Sequence, residues 1–344
     1  MSASIVLGTS MKIAILYGPG DLRIEEQPDP GDPGPDEVLV ETLVSGFKIG
    51  TDRGNYEGAE QVPGAPDFPR WVGDSNLGTV KAVGSNVSRL QVGDRVVSTM
   101  HHQSCYVAEA TRRLVKVPPA VHPEDAVFAH LYSLSAHCYH KALFRAGETV
   151  AVVGLGTLGL GAVAVGPLIG ARVAAIGNSD LRLQMAAGMG AHTGILSDDP
   201  ELLDKLDAFT DGRGIDLVIL TANPWPAYLT AINIVRNSGR VAIVSLLGRG
   251  EEPLEFNPLA IEHFYIKGIS LIAISGTDAD LYPVENPDSS PSRHCTHLLS
   301  LMAEGKLEPK RLVTHRFHYT RMVEAYEMAL RREKSMMNVV FQWS

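Results

Sequence analysis

The sequence predicts a mixed α/β protein: a doubly wound parallel-sheet domain together with an irregular, β-rich domain. Three observations predict it. A glycine-rich turn, Gly154-Leu155-Gly156-Thr157-Leu158-Gly159, follows a short apolar strand and opens an apolar helix. Strand-like and helix-like segments alternate after about residue 125, as parallel strands joined by crossover helices require. Before that point, short apolar runs are broken by glycine and proline, the pattern of irregular β structure.

In the first part, residues 11–17, 38–44, 78–83 and 95–99 read as strands, separated by turn signals such as Gly93-Asp94. Residues 1–10 read as a short extension before the first strand. In the second part, Thr149–Val153 and residues 172–176, 215–221 and 240–246 read as strands, with 269–275 as a closing strand. Asp180–Gly188 and residues 225–236 are helix-like and lie between them. Residues 276–291 form a polar, proline-rich loop, and 292–304 and 320–333 are amphipathic helices. Pro167 stands late in the helix after the glycine turn. It lacks an N–H, so the helix is expected to end or kink there.

The chain has 344 residues, a length suited to roughly two domains. Hydrophobic residues make up 45% and charged residues 20%, enough apolar material for ordinary globular cores. The net charge of −9 argues against a nonspecific nucleic-acid binder, which needs a basic field. The three cysteines, Cys105, Cys138 and Cys295, are scattered without a CxxC pair. That argues against a disulfide framework, excludes a cysteine-rich zinc lobe, and fits a reducing, cytoplasmic setting. The first sixteen residues lack a basic segment followed by a clean apolar run, so no signal peptide is read there. Residues 149–176 are the most apolar stretch, but glycines and Pro167 interrupt them, so they read as buried strand–helix–strand and not as a membrane span. The expected partner is a small molecule, not nucleic acid or a membrane.

Each glycine of the turn has a physical role in binding a dinucleotide in a Rossmann-type domain. Gly154 permits the tight turn, Gly156 lets the backbone approach a pyrophosphate, and Gly159 lets helix and strand pack closely. The first helical residues, Thr157 and Leu158, then offer unpaired N–H groups to phosphate oxygens. The end of the next strand decides between NAD and NADP. NAD sites place a carboxylate there for the ribose hydroxyls. Here Gly177 occupies that place, followed by Asn178, Ser179, Asp180, Leu181 and Arg182. Without the carboxylate, a 2′-phosphate meets no repulsion. Asn178 and Ser179 can donate hydrogen bonds to it, and Arg182 can supply charge. NADP is favoured over NAD on these grounds. In the competing reading, Asp180 takes the ribose and Arg182 is a solvated helix residue.

The order of motifs resembles the medium-chain dehydrogenase/reductase superfamily of alcohol dehydrogenase type, from about residue 11 onward. The motifs are Gly50-Thr51-Asp52, Gly73-Asp74-Ser75-Asn76-Leu77-Gly78, VGDRV at 92–96, the glycine turn, GRVAIVSL at 239–246 and LVTHRF at 312–317. The resemblance implies a discontinuous GroES-like catalytic domain over residues 1–128 and 278–344, around a Rossmann domain over 129–277. It also implies a homodimer or homotetramer. The Ser-Gly-x-x-x-Gly-Thr-Asp run and His101-His102 make the chain most similar to the branch of bacteriochlorophyllide dehydrogenases and polyol- or cyclitol-type enzymes.

Zinc members of the superfamily carry a cysteine just before Gly-Thr-Asp and a Gly-His-Glu where this chain has Gly73-Asp74-Ser75. The cysteine position here holds Ile49, the other two hold Asp74 and Ser75, and the third-ligand position falls on His130. The resemblance therefore implies a zinc-free member. Without a metal, hydrogen-bond donors or a general acid must stabilise the charge that hydride transfer builds on oxygen. Thr51 matches the hydroxyl that relays the proton in alcohol dehydrogenases. His130, oriented by Asp74, is expected as a proton donor, and either Lys48 or His130 is expected to supply the positive charge that the carboxylates Asp52 and Asp74 need. Tyr56 is a candidate substrate contact, and loops 53–72 and 276–291 are expected to shape the pocket. The leading function is NADP(H)-dependent alcohol–carbonyl hydride transfer on a small polar metabolite. The alternatives are reduction of an activated C=C bond, as in quinone and enoyl reductases, and a non-catalytic protein that retains the nucleotide fold.

Overall fold

The computed structural model describes residues 10–58, 67–110, 114–249, 251–252, 254, 256–274 and 291–344. The expected extension (1–10) and loop (276–291) therefore lie almost wholly outside the described residues. The chain forms two compact units, one of residues 1–130 and 295–344, the other of residues 131–294.

The first unit begins with β1 (Ser10–Leu16), β2 (Leu22–Pro28), β3 (Glu37–Phe47) and helix α1 (Ile49–Glu57). Then come β4 (Arg70–Trp71), β5 (Asn76–Val83), β6 (Arg95–Ser98), β7 (Cys105–Glu109), β8 (Val115–Lys116) and α2 (Pro123–Ala126). Helix α3 (Ala129–Lys141) carries the chain into the second unit. Strands β1, β2 and β4 form one antiparallel sheet in the order β2-β1-β4. Strand β3 is eleven residues long and pairs with both β5 and β7. Its pairing with β5 shifts register at Leu39/Val40 and at Thr42/Val44, which twists the strand.

The second unit is the parallel sheet. Its strands are β9 (Thr149–Val153), β10 (Arg172–Gly177), β11 (Thr193–Leu196), β12 (Ile215–Leu220), β13 (Val235–Ile243) and β14 (Ser270–Ala273). They lie in the order β11-β10-β9-β12-β13-β14, with every pairing parallel. Helices α4 (Thr157–Leu168), α5 (Asp180–Gly188), α6 (Leu202–Thr210) and α7 (Trp225–Ile234) are the crossovers. Val150, Ala151 and Val152 are wholly buried, as both faces of a parallel sheet demand. α4 ends one residue after Pro167, as the missing N–H predicted. α7 stops at Ile234, two residues short of the expected 236, because the chain passes directly into β13.

The chain returns through α8 (Pro291–Ala303), β15 (Val313–His318), α9 (Met322–Leu330) and β16 (Asn338–Gln342). β16 pairs with β3, which completes a seven-stranded sheet of order β15-β16-β3-β5-β6-β8, with β7 on β3. Phe47, Tyr326 and Phe341 pack edge-to-face beneath it. Two buried carboxylates of α2 fasten the returning segment. Glu124 accepts two bonds of 2.6 Å from the Arg316 guanidinium. Asp125 accepts the Lys310 backbone N–H at 2.7 Å and meets its ammonium at 3.1 Å. Glu124 is buried and Arg316 half-exposed, so breaking this forked pair removes two charge-assisted bonds and leaves a guanidinium that water partly solvates. Glu124→Gln is expected to lower stability by about 1–3 kcal/mol, read as the free energy of urea unfolding; an unchanged midpoint and slope would show the clasp to be inert.

Candidate functional site

The glycine turn of the second unit has the geometry a dinucleotide needs. Gly154 has φ of +98°, and a Cβ there would lie 2.7 Å from the Ala222 nitrogen. Its carbonyl accepts a 2.8 Å bond from the Thr221 hydroxyl at the end of β12. A Cβ on Gly159 would lie 1.9 Å from the Gly154 carbonyl oxygen, so only glycine fits. The first intrahelical bond runs from Leu160 N–H to Gly156 O at 2.8 Å. No side chain caps the helix at Gly156. The N–H groups of Thr157, Leu158 and Gly159 thus precede the first helical bond, and a Cβ on Gly156 would meet no atom within 4 Å. Uncapped donors facing open space fit a pyrophosphate.

Gly177 ends β10 and is followed by the exposed Asn178. Ser179 caps α5: its oxygen accepts the Arg182 N–H at 3.4 Å, which leaves its own hydroxyl hydrogen to donate. Arg182 is half-buried, and burial lowers its pKa from the usual arginine value. Asp180 is exposed in the first turn of α5.

In the first unit, α1 sets the candidate catalytic groups. Lys48 is its N-cap residue. The Asp52 carboxylate reaches back one turn and accepts the Lys48 backbone N–H at 2.7 Å, satisfying a donor the helix itself cannot. The Tyr326 hydroxyl, from α9, donates to the other Asp52 oxygen at 3.2 Å. Burial, and next the Asp74 charge, push the Asp52 carboxyl up to about 7. The Lys48 ammonium is mostly buried and lies 2.8 Å from an Asp74 oxygen. Lys48 thus touches both carboxylates, one through its backbone and one through its side chain. Thr51 stands in the first turn of α1, exposed, and its hydroxyl has no hydrogen bond among the described residues.

His130 differs from expectation. Asp74 is ion-paired with Lys48, and the hydrogen bond felt by His130 is with the Val97 carbonyl. Burial holds the imidazole at about 4, so it is neutral at pH 7, and its one N–H goes to the Val97 carbonyl. Lys48 is the cation of this cluster. Tyr56 is buried, and its hydroxyl meets Glu327 at 2.5 Å and the Gly20 carbonyl at 3.1 Å, so it is committed to the core. Of the loops expected to shape the pocket, 59–66 and 276–290 lie outside the described residues.

Sequence reasoning missed Tyr326, whose partner Asp52 is 274 positions away and gives no local signal. It also gave no role to Trp71, whose indole stacks on His101 at 3.7 Å and 14°. His102, beside it, is fully buried, and burial holds it at about 3.

A parallel sheet carrying an uncapped glycine turn, in one chain with a GroES-like β unit, is the architecture of a dinucleotide-dependent oxidoreductase. Residues 34–142 match the family model of the alcohol dehydrogenase GroES-like domain, and residues 157–283 match that of zinc-binding dehydrogenases. The chain is 26% identical to sorbitol dehydrogenase of Bacillus subtilis, with 96% of this chain and 97% of the relative covered. It is 30% identical to a probable zinc-binding alcohol dehydrogenase of Mycobacterium tuberculosis, over 69% of this chain and 68% of the relative. Galactitol-1-phosphate dehydrogenase of Escherichia coli shares the fold with a TM-score of 0.82 at 21% identity, covering 96% and 100% of the two chains. The chain belongs to the medium-chain dehydrogenase/reductase superfamily, whose members bind nicotinamide cofactors.

Zinc-binding members make zinc the metal to test. Catalytic zinc takes three protein ligands of nitrogen, sulfur or carboxylate type. Ile49 offers no donor and packs on the apolar cluster around Phe47 and Tyr326. The Ser75 hydroxyl is buried and donates to the Val127 carbonyl at 2.7 Å. Asp74 is already matched by Lys48. This donor set does not fit a catalytic zinc ion.

Two outcomes follow from this geometry. Gly159→Ala should weaken NADPH binding by more than about tenfold and cost about 1–3 kcal/mol of stability, by calorimetry and thermal unfolding; wild-type affinity would show that the turn does not meet the cofactor. Asp52 is raised in the folded state, so its contribution is fully present below about pH 4 and is lost as pH rises through about 7. Across that window wild type should lose up to about 4 kcal/mol relative to Asp52→Asn. Parallel stability curves for the two proteins would mean that Asp52 is ionised throughout.

Proposed function

We propose that the protein is an NADP(H)-dependent, zinc-independent oxidoreductase that exchanges a hydride between nicotinamide and the alcohol or carbonyl carbon of a small polar metabolite. The observation that carries this is the ion pair between Lys48 and Asp74, the latter at a position where the resemblance puts a metal ligand in zinc members. A carbonyl gaining a hydride becomes an alkoxide, which needs a positive charge and then a proton. The Lys48 ammonium provides both, Asp74 holds it in place, and the Thr51 hydroxyl, one turn along α1, is a second donor. In the reverse direction the same lysine, once neutral, takes the alcohol proton. The nicotinamide supplies or accepts the hydride. Asp52 and Tyr326 hold the helix that presents the lysine.

NADP is supported by Gly177, which lacks the carboxylate that would repel a 2′-phosphate, and by Asn178, Ser179 and Arg182 beyond it. Alcohol-type chemistry is supported by the likeness to sorbitol dehydrogenase. A homo-oligomer is supported by exposed Leu259, Ile261, Tyr265 and Ile266, just before the edge strand β14. No helix among the described residues is long and apolar enough to cross a membrane. The three cysteines are free, which suits a reducing cytoplasm.

Lys48→Met should lower kcat by about 10²–10⁴-fold while NADPH binding, measured separately by calorimetry, stays intact. Activity should survive dialysis against a chelator, with no zinc found by elemental analysis. Zinc at one equivalent, lost together with activity, would overturn the metal-free mechanism. Product analysis after NADPH oxidation distinguishes an alcohol from the saturated ketone that C=C reduction would give. Gly177→Asp should shift the NADPH/NADH ratio of kcat/KM at least about tenfold towards NADH, since a carboxylate then faces the 2′ position. An unmoved ratio would place the choice of cofactor elsewhere.

A further inference from the structure

His101 and His102 have no part in the chemistry above, yet both are committed to the loop that carries Asp74. The His102 backbone N–H donates to the Val72 carbonyl at 2.9 Å. His101 Nδ1 lies 3.1 Å from the Gly73 carbonyl oxygen. A carbonyl only accepts, so Nδ1 carries the hydrogen and donates it. Trp71 stacks on the same ring at 3.7 Å and 14°, which holds its plane for that bond. The His101 carbonyl in turn accepts a hydrogen of the Asn76 amide at 3.2 Å. Asp74 is thus held from the residue before it and from the second residue after it.

Gly73 adds a steric constraint. It has φ of +83°, and a Cβ there would lie 2.6 Å from His102 Cδ2 and 2.7 Å from its Nε2. The backbone next to Asp74 therefore rests directly on the His102 ring.

Packing alone does not explain a histidine at this place. His102 is wholly buried, and the Ser45 hydroxyl oxygen lies 2.8 Å from its Nδ1. That oxygen already accepts the Trp343 indole N–H at 2.9 Å. The Ser45 hydrogen then goes to His102 Nδ1, and Nε2 carries the ring hydrogen. The other tautomer would strand the Ser45 hydrogen in the core. Nε2–H has no acceptor among the described residues. An apolar ring of the same shape would avoid the cost of burying that donor. After burial, the Asp74 charge has the largest effect on this ring. In surroundings of low dielectric, an N–H dipole steadies a nearby carboxylate without touching it.

We infer that His101 and His102 are positioning residues for the Lys48–Asp74 pair. His101 fixes the loop through its bond to Gly73, while His102 supports the Gly73 backbone and steadies the Asp74 charge with Nε2–H. The inference rests on the proposed role of Lys48 and assigns the groups that hold its partner in place.

The test reads the ion pair in the full-length protein. The Lys48 ammonium must leave Asp74 and lose a proton before it is acylated. Its acetylation by acetic anhydride is followed by peptide mass spectrometry, with the exposed Lys306 as internal reference. Asp74→Asn should label about tenfold faster than wild type. His101→Leu and His102→Phe should each label at least about threefold faster, with melting temperatures within about 4 °C of wild type. His101→Gln and His102→Gln, whose amides donate again, should label more slowly than the Leu and Phe variants. In the Asp74→Asn background, neither His101→Leu nor His102→Phe should add to the rate. With NADP⁺ and sorbitol or 2,3-butanediol, kcat should fall in the same order while KM changes less than about twofold. Wild-type labelling in folded His101→Leu and His102→Phe overturns the inference. Acceleration that persists in the Asp74→Asn background, or that Lys306 shares, also overturns it, because it marks general loosening. If His102→Phe does not fold, the two His101 variants decide. If labelling follows the expected order and no alcohol is oxidised, the positioning role stands and the hydride-transfer reading falls.

Discussion

A single buried carboxylate organises the catalytic unit. Asp52 lies inside the first turns of α1 and accepts one hydrogen from the backbone it caps and another from Tyr326 on α9. The first bond starts a helix that its own sequence supports poorly. Ile49–Glu57 contains two glycines and no apolar stripe, so little but the cap and the contact with α9 holds it. The second bond fixes where that helix stands. Lys48 is its N-cap residue, so the carboxylate that starts the helix also positions the ammonium. The cost is a charge out of water, and the protein meets it by letting the carboxyl keep its proton to about neutral pH.

In the proposed mechanism, an ammonium takes the part that a metal plays in zinc members. A zinc ion polarises an oxygen without a proton inventory. An ammonium gives charge and proton together, and must be reloaded after each turnover. Asp74 is half-exposed and in contact with Lys48. Ile49 and Ser75 have meanwhile become packing residues, one in an apolar cluster and one bonded to a backbone carbonyl. Ile49, Asp74 and Ser75 each have a satisfied environment.

Most of the second unit was legible because its determinants are local. Gly154, Gly156 and Gly159 are read within six residues, and strands buried on both faces announce themselves as apolar runs. Strand β2 was not read because LRIEEQP, at the edge of a three-stranded sheet, is mostly polar. Helix α1 was not read as a helix because its signal is a cap and not a periodicity. The candidate site was legible as a set of residues, Lys48, Thr51, Asp74 and His130, but not as a set of partners. Which cation Asp74 meets depends on a lysine 26 positions earlier, and the state of His130 depends on burial that no local pattern reveals. Tyr326 and Trp71 were invisible for the same reason: each acts through a neighbour that only the fold supplies.

The pairing of β16 with β3 has a consequence for how the molecule is made. Trp343, just beyond β16, donates to the hydroxyl of Ser45, a residue 298 positions earlier. On the ribosome, β3 therefore emerges on the order of 15–60 s before its partner. During that interval its valine-rich edge is open to any strand that meets it. The cofactor unit is contiguous, so it can fold while the catalytic unit is still waiting for its last strand. Synthesis then leaves a finished nucleotide-binding body attached to an unfinished one. During that interval the open edge of β3 is a point at which a wrong pairing can form.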